Sequence, residues 1–210
     1  MIKGIIFDFD GTLLNTIGDI HKVLNDCLTC FGLKNIDIEE CAKLVGHGAR
    51  KLVEDAVGGE ISDDVYRLYA QKFSESESNL TTLYDGEEEV LGELQSRGIK
   101  FAVVTNKPQR ATENVCRKWL SKFRFCALLG QSGEYPLKPD PTATLKAIEI
   151  MGLNKDECIF VGDGESDVQT AKNAGLKCIS VLWGYRSKAQ LQAEGASCFA
   201  EKFSDILKFV

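Results

Sequence analysis

Short apolar runs alternate with amphipathic stretches over most of this chain. Ile2–Phe7, Phe101–Val104, Ala127–Leu129, Ile159–Val161 and Ile179–Leu182 have the length and residue types of buried parallel strands. Helical spacing falls between them, at Glu87–Arg97, Arg110–Leu120, Pro141–Met151 and Asp167–Ala174. Alternation of this kind predicts an α/β fold, a Rossmann-like core built on a parallel sheet. From about Ile17 to Leu80 the strand signal stops. Four helices are expected there instead: Asp19–Phe31, Ile38–Leu44, Arg50–Val57 and Asp63–Ser76, followed by a polar exit linker, Glu75–Thr82. The expected organisation is a Rossmann-like core of residues 1–14 and 83–210, with a helical module inserted at 15–82.

Composition narrows the classes. The chain has 210 residues, 44% of them hydrophobic, enough for one core with a small insertion. A net charge of −6 argues against nucleic acid and anionic membranes as partners. The first apolar run ends at Asp8, too soon for an export signal, and no window reaches membrane-span length. The eight cysteines are mostly scattered singly among apolar neighbours, so free thiols in a reducing cytoplasm are expected. Cys27-Leu28-Thr29-Cys30 has C-x-x-C spacing, but it lies within a helix, and His21 and His47 supply no second ligand pair.

Polar residues gather where the strands end. Asp8-Phe9-Asp10-Gly11-Thr12 puts two carboxylates after the first strand, two residues apart and so pointing the same way. Gly11 then exposes bare backbone N–H groups beside them. Such a pair is relieved by a cation or a shared proton, which suits a nucleophilic carboxylate, an acid/base carboxylate and a divalent metal. Asp-x-Asp-Gly also occurs in turns and calcium loops, but Leu13 and Leu14 replace the further ligands an EF-hand requires. Thr105 and Asn106 offer a hydroxyl, an amide and N–H groups suited to phosphate oxygens, or to an ordinary helix cap. Lys138, in a loop stiffened by Pro139 and Pro141, can offset the charge of a carboxylate meeting a phosphate dianion. Asp163 and Asp167 complete an oxygen set for Mg²⁺ with Asp8 and a backbone carbonyl, although either also serves as a helix cap. Ligands of open α/β sheets bind at these strand ends.

With these four motifs in order, the chain resembles the haloacid dehalogenase superfamily of phosphohydrolases, and the inserted helices resemble its small helical cap. Thr105-Asn106-Lys107-Pro108, Gly46-His47-Gly48-Ala49-Arg50 and Trp183-Gly184-Tyr185 are similar to phosphoglycolate phosphatase-like members. Asn15 departs from the acidic residue common in relatives. The resemblance implies Mg²⁺-dependent hydrolysis of a small phosphorylated metabolite such as 2-phosphoglycolate. Asp8 is then the nucleophile, Asp10 the acid/base and Lys138 the charge-offsetting lysine. Gly11, Thr105, Asn106, His47 and Arg50 contact substrate, and Asp8, Asp10, Asp163 and Asp167 form the metal set. A sugar-phosphate mutase or phosphotransferase, a pyrophosphatase and a non-catalytic binding protein share the fold and stay open. A haloalkanoic-acid dehalogenase ranks low, having little use for Asp10 or a metal.

Overall fold

The computed structural model describes residues 1–210. Its elements run in the order β1 (Gly4–Phe7), β2 (Leu14–Asn15), α1 (Ile17–Cys30), α2 (Ile38–Leu44), α3 (Ala49–Val57), α4 (Asp63–Glu75), β3 (Thr82–Leu83), α5 (Glu87–Ser96) and β4 (Lys100–Pro108). They continue with α6 (Gln109–Trp119), β5 (Phe125–Gln131), α7 (Thr142–Met151), β6 (Cys158–Gly162), α8 (Glu165–Ala174), β7 (Lys177–Val181), α9 (Lys188–Ala193) and β8 (Phe199–Ala200). A 3₁₀ helix, Phe203–Phe209, closes the chain. No helix is long and apolar enough to cross a membrane.

Six strands form one parallel sheet in the order β5-β4-β1-β6-β7-β8. β1 lies inside it, which is why Gly4, Ile5, Ile6 and Phe7 are all buried. Alternate side chains feed opposite faces. Ile5 and Phe7 join Phe101, Val103 and Val161 under α5, α6 and the terminal 3₁₀ helix. Ile6 joins Ala102, Val104 and Phe160 under α7 and α8. The five expected strands and the α/β alternation are all present. β4 extends past its expected end to Pro108, because irregular pairing with β5 resumes at Pro108 and Gln131. Thr105 and Asn106 are therefore extended backbone, not a helix entrance. β2, β3 and β8, two residues each, are too short to leave a periodic signal.

Helices α1–α4 have a core of their own. Ile20, Val23, Leu24, Cys27 and Leu28 form one stripe of α1 and meet Cys41, Leu52, Val53, Val65, Tyr69 and Phe73. Cys27 packs in that core while Cys30 is exposed, so the C-x-x-C pair diverges; all eight cysteines are free thiols. Ala111 of α6 joins the cluster and seats the module on the sheet domain. The chain enters and leaves the module through the antiparallel β2–β3 ribbon. Asp19 fastens the exit by accepting Leu80 N–H at 3.1 Å and the Thr81 hydroxyl at 2.6 Å. Asn15, in the same ribbon, has a buried side-chain oxygen without a partner. An aspartate there would strand a charge, so the neutral amide suits this ribbon better.

Glu87, fully buried at the start of α5, gives one carboxylate oxygen to Tyr84 N–H and leaves the other unpartnered. Burial pushes its pKa up to about 8 from 4.5. The folded state therefore holds a proton that the unfolded chain releases at lower pH. Stability from that proton is intact below pH 4.5 and declines, by about 1.4 kcal/mol per pH unit, as the pH rises toward 8. Glu87→Gln keeps the acceptor and removes the charge. Its melting temperature is expected to overtake the parent's progressively between pH 5 and 9 (roughly the window set by these two pKa values), which thermal melts across that range would show.

Candidate active site

Asp8 continues the line of β1, its N–H bonded to Val161 O at 2.9 Å. Its carboxylate turns toward Lys138, Nζ to Oδ1 2.7 Å. The same ammonium lies 2.6 Å from Asp167 Oδ1. Asn106 fixes Lys138 through its backbone: the amide oxygen accepts Lys138 N–H at 2.8 Å, and the amide N–H donates to Lys138 O at 3.1 Å. The loop thus owes its aim to Asn106 as well as to its prolines. Asp163 accepts the Thr12 hydroxyl at 2.9 Å and Tyr185 N–H at 2.8 Å. Two glycines permit this approach. A Cβ on Gly11, which has φ +82°, would stand 2.4 Å from Asp163 Oδ2, and one on Gly184 would stand 2.2 Å from Asp163 Cβ.

Asp8, Asp163 and Asp167 are buried, and one oxygen of each lies within 4.8 Å of the others. Three carboxylates gather there around one ammonium, which pairs with Asp8 and Asp167 only. Burial and the nearby Asp167 push Asp8 up to about 6, against the pull of Lys138. Burial, then Asp8 and Asp167, push Asp163 up to about 8. Burial works against the charge on Lys138, but Asp167 and Asp8 outweigh it and hold its pKa above the ordinary lysine range. Asp167 also accepts Gly164 N–H at 2.9 Å, so it caps α8 with one oxygen while the other meets Lys138. Asp163 takes no part in that cap.

Asp10 belongs to a different cluster. It accepts the Thr16 hydroxyl at 2.6 Å and pairs with Lys107 at 2.8 Å. Its side chain stands outside the three-carboxylate group, because the chain leaves β1 after Phe7 and turns into a bridge between Asp10 and Leu14. The expected metal set of Asp8, Asp10, Asp163 and Asp167 thus loses the Asp10 carboxylate.

Asp8 and Asp10 nevertheless line one cavity of about 40 Å³ with Thr105, Asn106, Lys107 and Lys138. Its roof comes from the inserted helices and includes Ile20, Val45, Leu52, Tyr69 and Phe73. His47 and Arg50 do not line it. His47 is exposed, and Arg50 pairs with Asp63 at 2.6 Å and lies 4.6 Å over the Tyr66 ring. Helix phase explains this: α3 turns Ala49, Leu52 and Val53 inward, which leaves Arg50 on the outer side. Gly46, Gly48 and Ala49 of the same stretch do reach the cavity.

The haloacid dehalogenase-like hydrolase family model matches residues 5–181. The chain belongs to that family. It is 29% identical to phosphoglycolate phosphatase 1 of Pseudomonas aeruginosa over 97% of this chain and 78% of that protein. It is also 29% identical to the phosphoglycolate phosphatase of Aquifex aeolicus, over 100% of this chain and 97% of the relative. Among solved structures, a predicted phosphoglycolate phosphatase from Haemophilus somnus superposes with a TM-score of 0.89 at 27% identity, covering 99% of this chain and 97% of that one.

Within this hydrolase, one residue not singled out by sequence reasoning, Arg186, acts across the cleft. Arg186, buried, donates from Nε to both oxygens of Glu165, at 2.9 and 2.8 Å. Its other nitrogens donate to Ala42 O at 2.9 Å, in the last turn of α2, and to Val45 O at 2.7 Å, just past it. Asn106 adds a bond to Gly46 O at 2.8 Å. Glu165 opens α8 between Asp163 and Asp167, so Arg186 ties that acidic helix start to the roof. Replacing Arg186 with Met is expected to raise amide exchange across residues 42–48 and to lower kcat/KM roughly 10- to 100-fold, as for loss of charged hydrogen bonds. Exchange mass spectrometry alongside steady-state rates would measure both.

Proposed function

We propose that this phosphoric monoester hydrolase cleaves a small phosphorylated metabolite, with 2-phosphoglycolate the best match, through an aspartyl-phosphate on Asp8. The observation that carries the reading is the Asp8 carboxylate, aimed by Lys138 into a cavity whose other polar side chains include Asp10, Thr105, Asn106 and Lys107. A cavity of about 40 Å³ holds a few water-sized groups, which favours a substrate with little beyond its phosphoryl group. The two bacterial relatives named for phosphoglycolate point the same way.

In the first half-reaction an Asp8 oxygen attacks phosphorus and the ester P–O bond breaks. Asp10, placed on the roof side, gives the leaving alkoxide its proton. In the second, Asp10 takes a proton from water as that water attacks the aspartyl-phosphate. Inorganic phosphate leaves and Asp8 is restored. Lys138, the Thr105 hydroxyl and the N–H groups of Phe9, Asp10 and Asn106 offset charge on the phosphoryl oxygens, where most of the catalytic effect in phosphoryl transfer arises. The roof keeps bulk water from the site.

Three buried carboxylates facing one lysine fit a hard divalent cation, and Mg²⁺ takes such oxygen ligands. Asp8, Asp163 and Asp167 would hold it, and a bound ion would supply positive charge to the phosphoryl oxygens.

Two measurements test this. Asp8→Asn is expected to reduce turnover of 2-phosphoglycolate and p-nitrophenyl phosphate by at least ~10³-fold with the fold intact by circular dichroism; near-normal turnover would remove Asp8 as nucleophile. Chelation by EDTA is expected to abolish activity and Mg²⁺ to restore it. Excess Ca²⁺ is expected to inhibit, since its looser coordination misplaces the reactants. Full activity in metal-free protein would sink the metal assignment.

A further inference from the structure

Only two cations line the cavity, Lys138 and Lys107. Lys138 is committed to Asp8 and Asp167. Lys107 has no such duty on the phosphoryl side. Its side chain is 1% exposed, yet its one recorded hydrogen bond is to Asp10, at 2.8 Å. Asp10 already has the Thr16 hydroxyl at 2.6 Å. Burying an ammonium is unfavourable unless something returns the lost hydration. Here Phe73 of α4 gives part of it, its ring centroid 4.2 Å from Nζ, with Phe9 farther off at 5.9 Å. The remaining N–H capacity of Lys107 stands at the cavity wall.

Position matters as much as charge. Asp10 is the group that meets the ester oxygen, and Lys107 lies one hydrogen bond beyond it. An ammonium so placed sits roughly 5–6 Å from that oxygen, two hydrogen-bond lengths away. A carboxylate on the first carbon of the leaving alcohol reaches that far. The roof side chains above, apart from the Tyr69 hydroxyl, are those of Ile20, Val45, Ala49, Leu52 and Phe73, and these offer nothing to the hydroxyls of a sugar.

We propose that Lys107 is the subsite for a second anionic group of the substrate, a carboxylate one carbon from the phosphoester oxygen, and that it fills the role which Arg50, facing outward, does not. The inference rests on the phosphatase reading above. Phe73 comes from the inserted helices, so the subsite is complete only when they are seated over the core. Lys107 acts as a specificity residue: the carboxylate of the substrate joins or displaces Asp10 at its ammonium, and an uncharged leaving alcohol gains nothing there.

The test compares 2-phosphoglycolate with ethyl phosphate, which has the same two-carbon alkoxide skeleton without the carboxylate. The wild type with Mg²⁺ is expected to prefer 2-phosphoglycolate in kcat/KM. Lys107→Met is expected to lower that preference roughly 10- to 100-fold, the worth of a charged hydrogen bond, whatever its effect on ethyl phosphate alone. Lys107→Arg, which keeps the charge, is expected to restore most of it. A preference unchanged in Lys107→Met, or a wild type without one, overturns the subsite and leaves the phosphatase reading standing. A wild type that hydrolyses neither ester overturns both. Should Lys107→Met fail to fold, the wild-type preference and the Lys107→Arg variant still decide the matter.

Discussion

One lysine holds this site together. Lys138 places a single ammonium between the carboxylates of Asp8 and Asp167, with Asp163 beside them and no cation of its own. A buried ion pair is weak evidence for stability, because desolvation offsets attraction. Here the offset is incomplete, and Asp8 and Asp163 are pushed up while Lys138 is held charged. The neighbouring chain bends to this cluster. Gly11 and Gly184 are small because Asp163 needs the space. Asn106 clamps the backbone of Lys138 from both sides. Trp183 donates to Thr12 O at 3.0 Å, tying the β7 exit to the turn whose hydroxyl holds Asp163. Such crowding of like charge is functional architecture: a site designed only for stability would not collect it.

The two aspartates of the first motif illustrate a division of labour by environment. They are separated by one residue, and both face the cavity. Asp8 meets Lys138 and the other carboxylates, while Asp10 meets Lys107 and a hydroxyl. The proposed nucleophile and acid/base would need different surroundings, and the turn after β1 sends these neighbouring carboxylates to different partners.

Much of this was legible in the sequence. The central strands announce themselves because burial on both faces requires unbroken apolar runs, as in Ile5-Ile6-Phe7. The acidic run stands out because it follows directly on a buried strand, where ligands of such sheets bind, and Lys138 because two prolines stiffen its loop. The orientation of Arg50 was not legible. A helix spaced this way can present either flank until its packing partners are known, and α4 decides that Leu52 and Val53 face in. The separation of Asp10 from Asp163 and Asp167 was hidden for a related reason: alternation applies within a strand, and β1 ends at Phe7. Lys107 did leave a signal, a lysine directly after Thr105 and Asn106 in an extension of a buried strand. Its burial depends on Phe73, which lies in another part of the chain.

The same long-range dependence connects roof and floor. The ribbon of β2 and β3 with the Asp19 clamp makes a narrow connection, so the inserted helices meet the core through few covalent routes. Their seating depends on contacts at the cleft: Arg186 to α2, Asn106 to Gly46, and Phe73 over Lys107. Two of these residues also serve the floor. Asn106 positions Lys138, and Arg186 holds Glu165 within the acidic loop. One guanidinium thus bonds both the acidic helix start and the carbonyls at the end of α2, and one amide bonds both the roof at Gly46 and the backbone of Lys138. Closure and charge at this site are two readings of the same set of hydrogen bonds.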